Sequence, residues 1–193
     1  MLSTAVQDPD RALVISMGET TDEELMQRFC AGDKAAFGEL FERFLPRVRS
    51  FLRQMVRDSA LADDLAQTTF LSVVRSKDRY VIGAKVAPWI FSIAGNAARD
   101  TLRRQALGVE QLVTADAAVE SQPIDHGLRR ELENALSELP VNQREVVVLH
   151  KVQGLSFEQI AESIGITATA ARIRAHRGYV RLRALLKHLE DAS

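Results

Sequence analysis

The sequence predicts an all-α protein made of two small helical bundles joined by a flexible acidic linker, with a helix-turn-helix in the C-terminal bundle. Apolar residues recur at intervals of three and four along most of the 193 residues, and no segment of any length alternates as a strand would. Residues 106–127 break this pattern, because they contain no lysine or arginine and carry a proline. Their acidic residues are Glu110, Asp116, Glu120 and Asp125.

Composition narrows the functions open to the chain. Its 25 basic and 26 acidic residues nearly cancel, but arginine gathers in two places, so nucleic-acid binding is not excluded. The single cysteine, Cys30, excludes an internal disulfide and a multi-cysteine zinc site, and the histidines show no ligand spacing. We therefore expect no metal and no cofactor. We also expect a cytoplasmic protein without membrane insertion, since neither a spanning apolar run nor a secretion signal is present.

The N-terminal bundle is predicted to follow a flexible tail, residues 1–20, in which no periodicity is visible. Thr21 followed by Glu24 is a capping-box pattern that opens a short first helix. Asp33 is placed to cap a second helix, which Pro46 either kinks or restarts.

Two further helices complete this bundle. Asp58 is placed to cap a third helix over residues 60–75. Pro88 suits the first turn of a fourth helix, which runs to about Gln105. The inward face of the third helix is predicted to consist of Leu61, Leu65, Phe70, Leu71 and Val74.

The C-terminal bundle is predicted to begin with a helix of periodic leucines and a second helix over about residues 142–153. Ser156 with Gln159 forms another capping box. Gly165 then permits a tight turn before Thr167 caps the last helix. A short helix, a glycine turn and a basic helix are the sequence pattern of a helix-turn-helix. The periodic leucines are Leu128, Leu132, Leu136 and Leu139.

The last helix, predicted over residues 167–189, combines an apolar stripe with a cationic surface. Such a helix can dock on its own bundle and on phosphates together; a solvated helix hairpin is the alternative interpretation. The stripe comprises Ala171, Ala175, Gly178, Leu182, Leu185 and Leu189. The cations, with no acidic residue among them, are Arg172, Arg174, Arg177, Arg181, Arg183 and Lys187.

Three motifs, in this order along the chain, resemble the extracytoplasmic-function sigma factors of bacterial RNA polymerase. Residues 62–70, ADDLAQTTF, resemble that family's AEDLVQEVF segment. Residues 88–104, PWIFSIAGNAARDTLRR, resemble its W-L-(Y/F)-x-I-A-R-N…R-R helix. Residues 139–156, from Leu-Pro through Arg-Glu to Gly-Leu-Ser, resemble its LPxxxRE…GLSxxEIA domain. Each motif is weak alone, but together, over roughly residues 21–187, they identify the chain as a member.

The chain departs from the family pattern at a few positions. Gly95 stands where the family usually has arginine, which removes a cation from the DNA-facing helix and slightly lowers its helix propensity. Ala170 and Ala171 replace a frequent Thr-Val pair, and Ile173 replaces a small polar residue. The first change bears on DNA affinity and the others on the promoter sequence.

The resemblance implies a protein that performs no chemistry, binds core RNA polymerase and chooses where promoter DNA opens. Residues 21–105 would be region 2, which binds core polymerase and the −10 element. Residues 128–193 would be region 4, which binds the −35 element. Core binding is implied for Asp63, Asp64 and Gln67, which lie within about one helical turn and would face the coiled-coil clamp of the polymerase's largest subunit. A solvated helix face is the alternative for the two aspartates.

The resemblance also implies DNA contacts in both domains. Melting a duplex needs a pocket for an unstacked base and cations for the released strand. The residues implied for these tasks are Tyr80, Asn96, Arg99, Arg103 and Arg104, whereas Trp89 is either a core anchor or a DNA contact. In region 4 the first turns of the last helix would enter the major groove, where arginine reads guanine and an apolar side chain meets a thymine methyl. The residues implied there are Thr169, Arg172, Ile173, His176 and Arg177.

Three partners follow from the resemblance: core RNA polymerase, promoter DNA and an anti-sigma factor that wedges between the two domains or wraps them. Self-inhibition by residues 1–20 is the alternative to the anti-sigma factor, and no small-molecule substrate is expected. The competing function is a helix-turn-helix repressor or activator that is not a polymerase subunit. A nucleic-acid enzyme is disfavoured, because the sequence lacks a constellation of metal ligands, nucleophile and base.

Overall fold

The computed structural model describes residues 20–108 and 126–190. Within these ranges the chain forms eight α-helices and a 3-10 turn, Lys77–Arg79, and contains no strand. The predicted tail and most of the predicted linker lie outside the described residues. The N-terminal bundle consists of α1 (Asp22–Cys30), α2 (Lys34–Val56), α3 (Ser59–Ser76) and α4 (Val86–Ala106). The C-terminal bundle consists of α5 (His126–Ser137), α6 (Val141–Lys151), α7 (Phe157–Ile164) and α8 (Ala168–Glu190). The all-α class with two helical bundles is confirmed.

The first three helices of the N-terminal bundle begin at the predicted caps, and α4 begins at Val86, so that Pro88 lies in its first turn. The Thr21 hydroxyl accepts from the Glu24 N–H at 3.2 Å, and the Glu24 carboxylate accepts from the Thr21 N–H at 2.8 Å. The Asp33 carboxylate accepts from the N–H groups of Ala35 and Ala36 at 2.9 and 3.2 Å. Because the first N–H groups of a helix have no partner within it, each such cap stabilises its helix by about 1 kcal/mol.

Pro46 lies inside α2, which neither ends nor restarts there. Proline removes one hydrogen bond from a helix interior and normally destabilises it. Phe44 and Val48, on either side of Pro46, are both fully buried in the same core, so tertiary packing holds the helix continuous through the proline. The helix ends at Arg57, whose φ of 62° turns the chain toward α3.

The buried face of α3 differs from the predicted one. Leu65 and Phe70 are buried as predicted, but Leu71 is 57% exposed and Val74 is 41% exposed, so both were wrongly assigned to the core. Small residues set the actual seam, which lets α3 lie close to its neighbours and rotates the bulky leucine outward. The buried residues of α3 are Ala62, Leu65, Ala66, Thr69, Phe70 and Val73.

The helix-turn-helix forms as the sequence predicts. The Ser156 hydroxyl accepts from the Gln159 N–H at 3.2 Å, and the Gln159 side chain accepts in return from the Ser156 N–H at 2.9 Å. Gly165 ends α7 with a φ of 69°, a left-handed conformation that glycine adopts without strain. The Thr167 hydroxyl then accepts from the Ala170 N–H at 3.1 Å and starts α8. These local contacts form the turn between α7 and α8, and α8 then packs on α6 and α7.

The two bundles pack directly against each other: α4 lies on α7, and α2 lies on α6 and α5. Polar groups join them as well. The Arg47 guanidinium donates to the Gln153 carbonyl oxygen at 3.0 Å, and the Arg144 guanidinium donates to the Met55 carbonyl oxygen at 3.0 Å. A single cluster of buried apolar residues runs through both bundles. The linker composition suggested independent bundles, but the structure holds them in contact.

Candidate nucleic-acid interface

Asp63 and Asp64, predicted to act together on α3, lie in different environments. Arg49 donates to both carboxylate oxygens of Asp63, at 2.8 and 2.6 Å, and Arg53 approaches the same group at 3.6 Å. These hydrogen bonds hold the pKa of Asp63 below its usual range. Asp64 and Gln67 are exposed. Asp63 therefore ties α2 to α3, and the outward surface begins at Asp64.

The exposed side of α3 carries an apolar component that the sequence analysis assigned to the core. Asp64, Gln67, Leu71 and Val74, which we call the α3 surface, follow one another at intervals of three, four and three. This spacing places all four on one stripe of the helix. A stripe of an acid, an amide and two exposed aliphatic side chains suits the face of a partner helix better than solvent alone. The regular spacing was the signal that could have identified it.

Tyr80, predicted as part of a base pocket, is only 6% exposed. Its hydroxyl donates to the Ala84 carbonyl oxygen, and its ring meets the Trp89 ring edge-on with centroids 5.2 Å apart. Burial raises the pKa of Tyr80 to about 12. In this structure both rings are thus packing groups. The surface of this loop is formed instead by Val81, 72% exposed, and Ile82, 52% exposed, which sequence analysis did not single out.

The polar residues predicted on α4 share one side of the helix. Asn96, Arg99 and Arg103 are spaced by three and four residues, and Asn96 and Arg103 are exposed. Arg99 donates to the Asn96 side-chain oxygen at 2.5 Å, and Arg103 donates to Asp100 at 3.1 Å. Arg104 is exposed one position further round. We refer to Asn96, Arg99 and Arg103 as the α4 face.

Arg99 is also paired across the bundles with Glu145 of α6. Glu145 is only 2% exposed. Its burial raises its pKa above the usual range, and the nearby charges of Arg99 and Arg174 act against this rise. In the sequence, Glu145 stands out only as part of a motif, because a contact between positions so far apart in the chain leaves no local signal.

The predicted groove residues of α8 lie on its outer side. Thr169, Ile173, His176 and Arg177 are exposed, and Ile173 retains 47% of its accessible surface. The opposite side of the helix packs inward at Ala171 and Ala175, which are buried. This division matches a helix that docks on its own bundle and presents polar and apolar groups outward.

Arg172 is exposed but engaged within the helix-turn-helix. Its guanidinium pairs with Glu158 of α7 and lies over the Phe157 ring, 5.6 Å from the centroid. It therefore braces α7 against α8 in this structure, whereas Arg177 carries no such contact to α7. Gly178 places the same helix close to α6, since a Cβ there would lie 2.7 Å from Val147 Cγ2.

Two classes of site are not found in the described part of the chain. No group of three or more histidine, cysteine, aspartate or glutamate side chains is arranged to hold a metal ion among residues 20–108 and 126–190. No helix in those residues has both the length and the apolar character needed to cross a membrane.

Comparison with known families assigns both bundles. Residues 40–107 match the family model described as Sigma-70 region 2, and residues 129–182 match that described as Sigma-70, region 4. The chain is 50% identical over 169 residues to RNA polymerase sigma factor CarQ of Myxococcus xanthus, covering 86% of this chain and 97% of CarQ. It is 32% identical over 171 residues to ECF RNA polymerase sigma factor SigM of Mycobacterium tuberculosis, covering 89% and 87% of the two chains.

Two solved structures resemble most of the chain. CnrH, in complex with the cytosolic domain of CnrY, is 26% identical with a TM-score of 0.69, covering 86% of this chain and 97% of CnrH. The sigma factor RpoE of Bartonella quintana, in complex with the anti-sigma factor NepR, is 25% identical with a TM-score of 0.68, covering 78% and 96%. Each alignment covers more of the chain than either bundle contains, so both bundles take part in it.

Proposed function

Because the chain belongs to the extracytoplasmic-function sigma factors of bacterial RNA polymerase, we propose how its surfaces divide promoter recognition among them. The α3 surface docks core polymerase, the α4 face with the loop before it serves the −10 element, and the outer side of α8 reads the −35 element. The domains would be residues 21–105 and 128–193, joined by residues 106–127. The observation that supports this proposal is that α3, α4 and α8 each bury apolar residues in the core and present polar residues at the surface.

The α3 surface is the proposed contact with core polymerase. Leu71 and Val74 offer exposed apolar area, and Asp64 adds a negative charge at one end of the stripe. The aliphatic side chains of a partner helix would bury Leu71 and Val74, and a cation on the same helix would pair with Asp64. Asp63 contributes by holding α3 in place, because its carboxylate is already bound by Arg49.

The α4 face is the proposed contact with the opened DNA strand. Arg99 and Arg103 supply cations for phosphates, and Asn96 offers both a donor and an acceptor to a base edge. The exposed Val81 and Ile82 would pack against an unstacked base, a task that Tyr80 performs only if its loop rearranges. Opening DNA in this way requires no catalytic group, and we propose that the chain has no enzymatic activity.

The outer side of α8 is the proposed reader of duplex DNA. Arg177 and His176 supply hydrogen-bond donors for base edges, and Ile173 supplies an apolar group for a thymine methyl. The matches to region 2 and region 4 together support a polymerase subunit over a helix-turn-helix repressor or activator, since the latter needs no region 2. We place this activity in the cytoplasm, where polymerase and chromosome are found.

Regulation by an anti-sigma factor is part of the proposal. RpoE of Bartonella quintana, which aligns with both bundles, was solved in complex with the anti-sigma factor NepR. Because α4 lies directly on α7 here, a partner that wraps around the closed bundles fits this arrangement better than one wedged between them. Expression in a heterologous bacterium with the target promoter, with and without a native neighbour protein, distinguishes this from self-inhibition by residues 1–20.

Transcription with purified components tests the function. Core polymerase supplemented with the full chain is expected to make discrete transcripts from a promoter library, and core polymerase alone is not. A chain carrying Asn96→Ala and Arg103→Ala is expected to lose these discrete transcripts while keeping its fold, because both side chains are exposed and are proposed DNA contacts. Unchanged, nonspecific output across the library would reject the proposal.

A further inference from the structure

Gly95 forms a niche on α4 that only glycine leaves open. A Cβ at this position would lie 2.6 Å from Glu145 Oε1 and 3.2 Å from Arg99 Nη1. Any other side chain would therefore displace the Glu145 carboxylate. Glycine weakens a helix interior relative to alanine, so a structural reason for it is expected. Gly38, inside α2, provides the contrast, because a Cβ there meets nothing within 4 Å.

The carboxylate in this niche occupies the α4 face. Glu145 pairs with one terminal nitrogen of Arg99, and the other donates to Asn96. A carboxylate and a phosphate bind a guanidinium through the same charge-assisted hydrogen bonds. Glu145 and a DNA phosphate therefore compete for Arg99 while the bundles are in contact.

The contacts around the niche are suited to opening. Arg144 is only 6% exposed and donates to a backbone carbonyl oxygen, while its Nε has no hydrogen-bond partner. Arg47, half-buried, also donates to a backbone carbonyl oxygen across the bundles. Among the described residues neither guanidinium pairs with a carboxylate. Burying a cation without an ion partner costs free energy, and this cost opposes the apolar packing that joins the bundles.

We propose that the chain closes on itself: Glu145 enters the niche at Gly95 and occupies Arg99 of the α4 face until the two bundles separate. This inference rests on the proposed role of the α4 face in DNA binding. It requires no other protein, since the closing group and the niche belong to the same chain. An anti-sigma factor or core polymerase would then act on an equilibrium that the chain already possesses.

Filling the niche tests this closure directly. Fluorescent labels at Thr68→Cys and Val180→Cys, both exposed positions on different bundles, report the distance between the bundles in a Cys30→Ser background. Gly95→Gln is expected to lengthen this distance, because the side chain displaces the carboxylate. Gly38→Gln is the matched control, since it makes the same change inside a helix with free space and should leave the distance unchanged.

Two further measurements separate the opening of the bundles from a loss of fold. Circular dichroism must show the helix content of the wild type, so that an altered distance is not unfolding. Arg99→Ala is expected to lengthen the distance as well, because it leaves Glu145 buried without its ion partner. An unchanged distance distribution in both Gly95→Gln and Arg99→Ala would overturn the proposed closure.

DNA binding completes the test. The probe is a short fluorescein-labelled single-stranded DNA of mixed sequence, titrated with the full chain. If the open form rises from about a tenth of the molecules to nearly all, the affinity of Gly95→Gln should exceed that of the wild type about tenfold. Separated bundles with unchanged affinity would refute the competition between Glu145 and DNA for Arg99. If Arg99→Ala in the Gly95→Gln chain also left affinity unchanged, the proposed DNA role of α4 would fail, while the label distances would still decide closure.

Discussion

At the scale of single residues, neighbouring positions with the same side chain have separate tasks. Asp63 accepts two hydrogen bonds from Arg49 and is held inside its bundle, whereas Asp64 points outward on the α3 surface. The pair resembles one acidic rim in the sequence. In the folded chain Arg49 already binds the charge of Asp63, whereas Asp64 is exposed at the surface.

Asp64→Lys is therefore expected to weaken binding to core polymerase with little change in stability, within about 0.5 kcal/mol, because the position is exposed. Asp63→Asn removes the acceptor of Arg49 and should lower the free energy of unfolding by no more than about 1 kcal/mol, since the pair is partly exposed. Pull-down with core polymerase and chemical denaturation measure the two effects. Normal core binding by Asp64→Lys would contradict the assignment of the α3 surface.

At the scale of helices and turns, the features that could be predicted from the sequence are those that depend on neighbouring residues. The capping boxes at Thr21 and Ser156 and the left-handed turn at Gly165 each depend on residues within one turn, and each formed as predicted. The exposure of Leu71 was mispredicted, because the rotation of α3 about its axis depends on small residues packed against other helices. The resemblance implied a DNA contact for Arg172, and its pairing with Glu158 of α7 could not be predicted from local spacing.

The approach of α8 to α6 depends on Gly178. A Cβ there would lie 2.7 Å from Val147 Cγ2, so Gly178→Ala is expected to destabilise the C-terminal bundle by about 1–3 kcal/mol through overpacking. Val147→Ala removes the colliding methyl group. It should therefore cost less in the Gly178→Ala chain than in the wild type, a coupling that chemical denaturation of the four variants measures. Additive costs would show that the two residues do not collide.

The outer side of α8 provides a test of base readout. Arg177→Ala is expected to cost on the order of 1–3 kcal/mol of binding, confined to promoters with the cognate −35 element. Arg183→Ala, exposed further along the same helix, is the control and should affect all sequences alike. Binding to a set of duplexes that differ only in this element measures both. Equal weakening on every duplex by Arg177→Ala would identify a phosphate contact instead.

At the scale of the whole molecule, the arrangement of the bundles was beyond sequence analysis. The contacts that join them link residues such as Arg99 and Glu145, and no periodicity or motif records a pairing over that separation. The division into two bundles was predictable because composition changes between them. Their mutual packing depends on the three-dimensional fit of surfaces, such as the niche at Gly95, that exist only after each bundle has folded.

Protonation of Glu145 gives closure a predictable pH dependence. Burial raises the pKa of Glu145, against the opposing charges of Arg99 on α4 and Arg174 on α8, so the closed form binds a proton more tightly than an open form with an ordinary pKa. Closure should therefore strengthen as the pH falls through the raised pKa, with the full effect below the ordinary value of 4.5. The same label distances measured between neutral and acidic pH test this. Glu145→Gln should abolish the response, and opening on acidification would contradict it.

The acceptors used by Arg47 and Arg144 have a consequence for how this interface changes during evolution. Both guanidinium groups bind main-chain carbonyl oxygens, at Gln153 and Met55, which every amino acid supplies. A substitution at Gln153 or Met55 keeps the main-chain acceptor, so these two hydrogen bonds do not restrict the amino acid at either position. Only the donors, Arg47 and Arg144, are specified by these two bonds, so many different sequences at the acceptor positions are compatible with the same hydrogen bonds across the bundles.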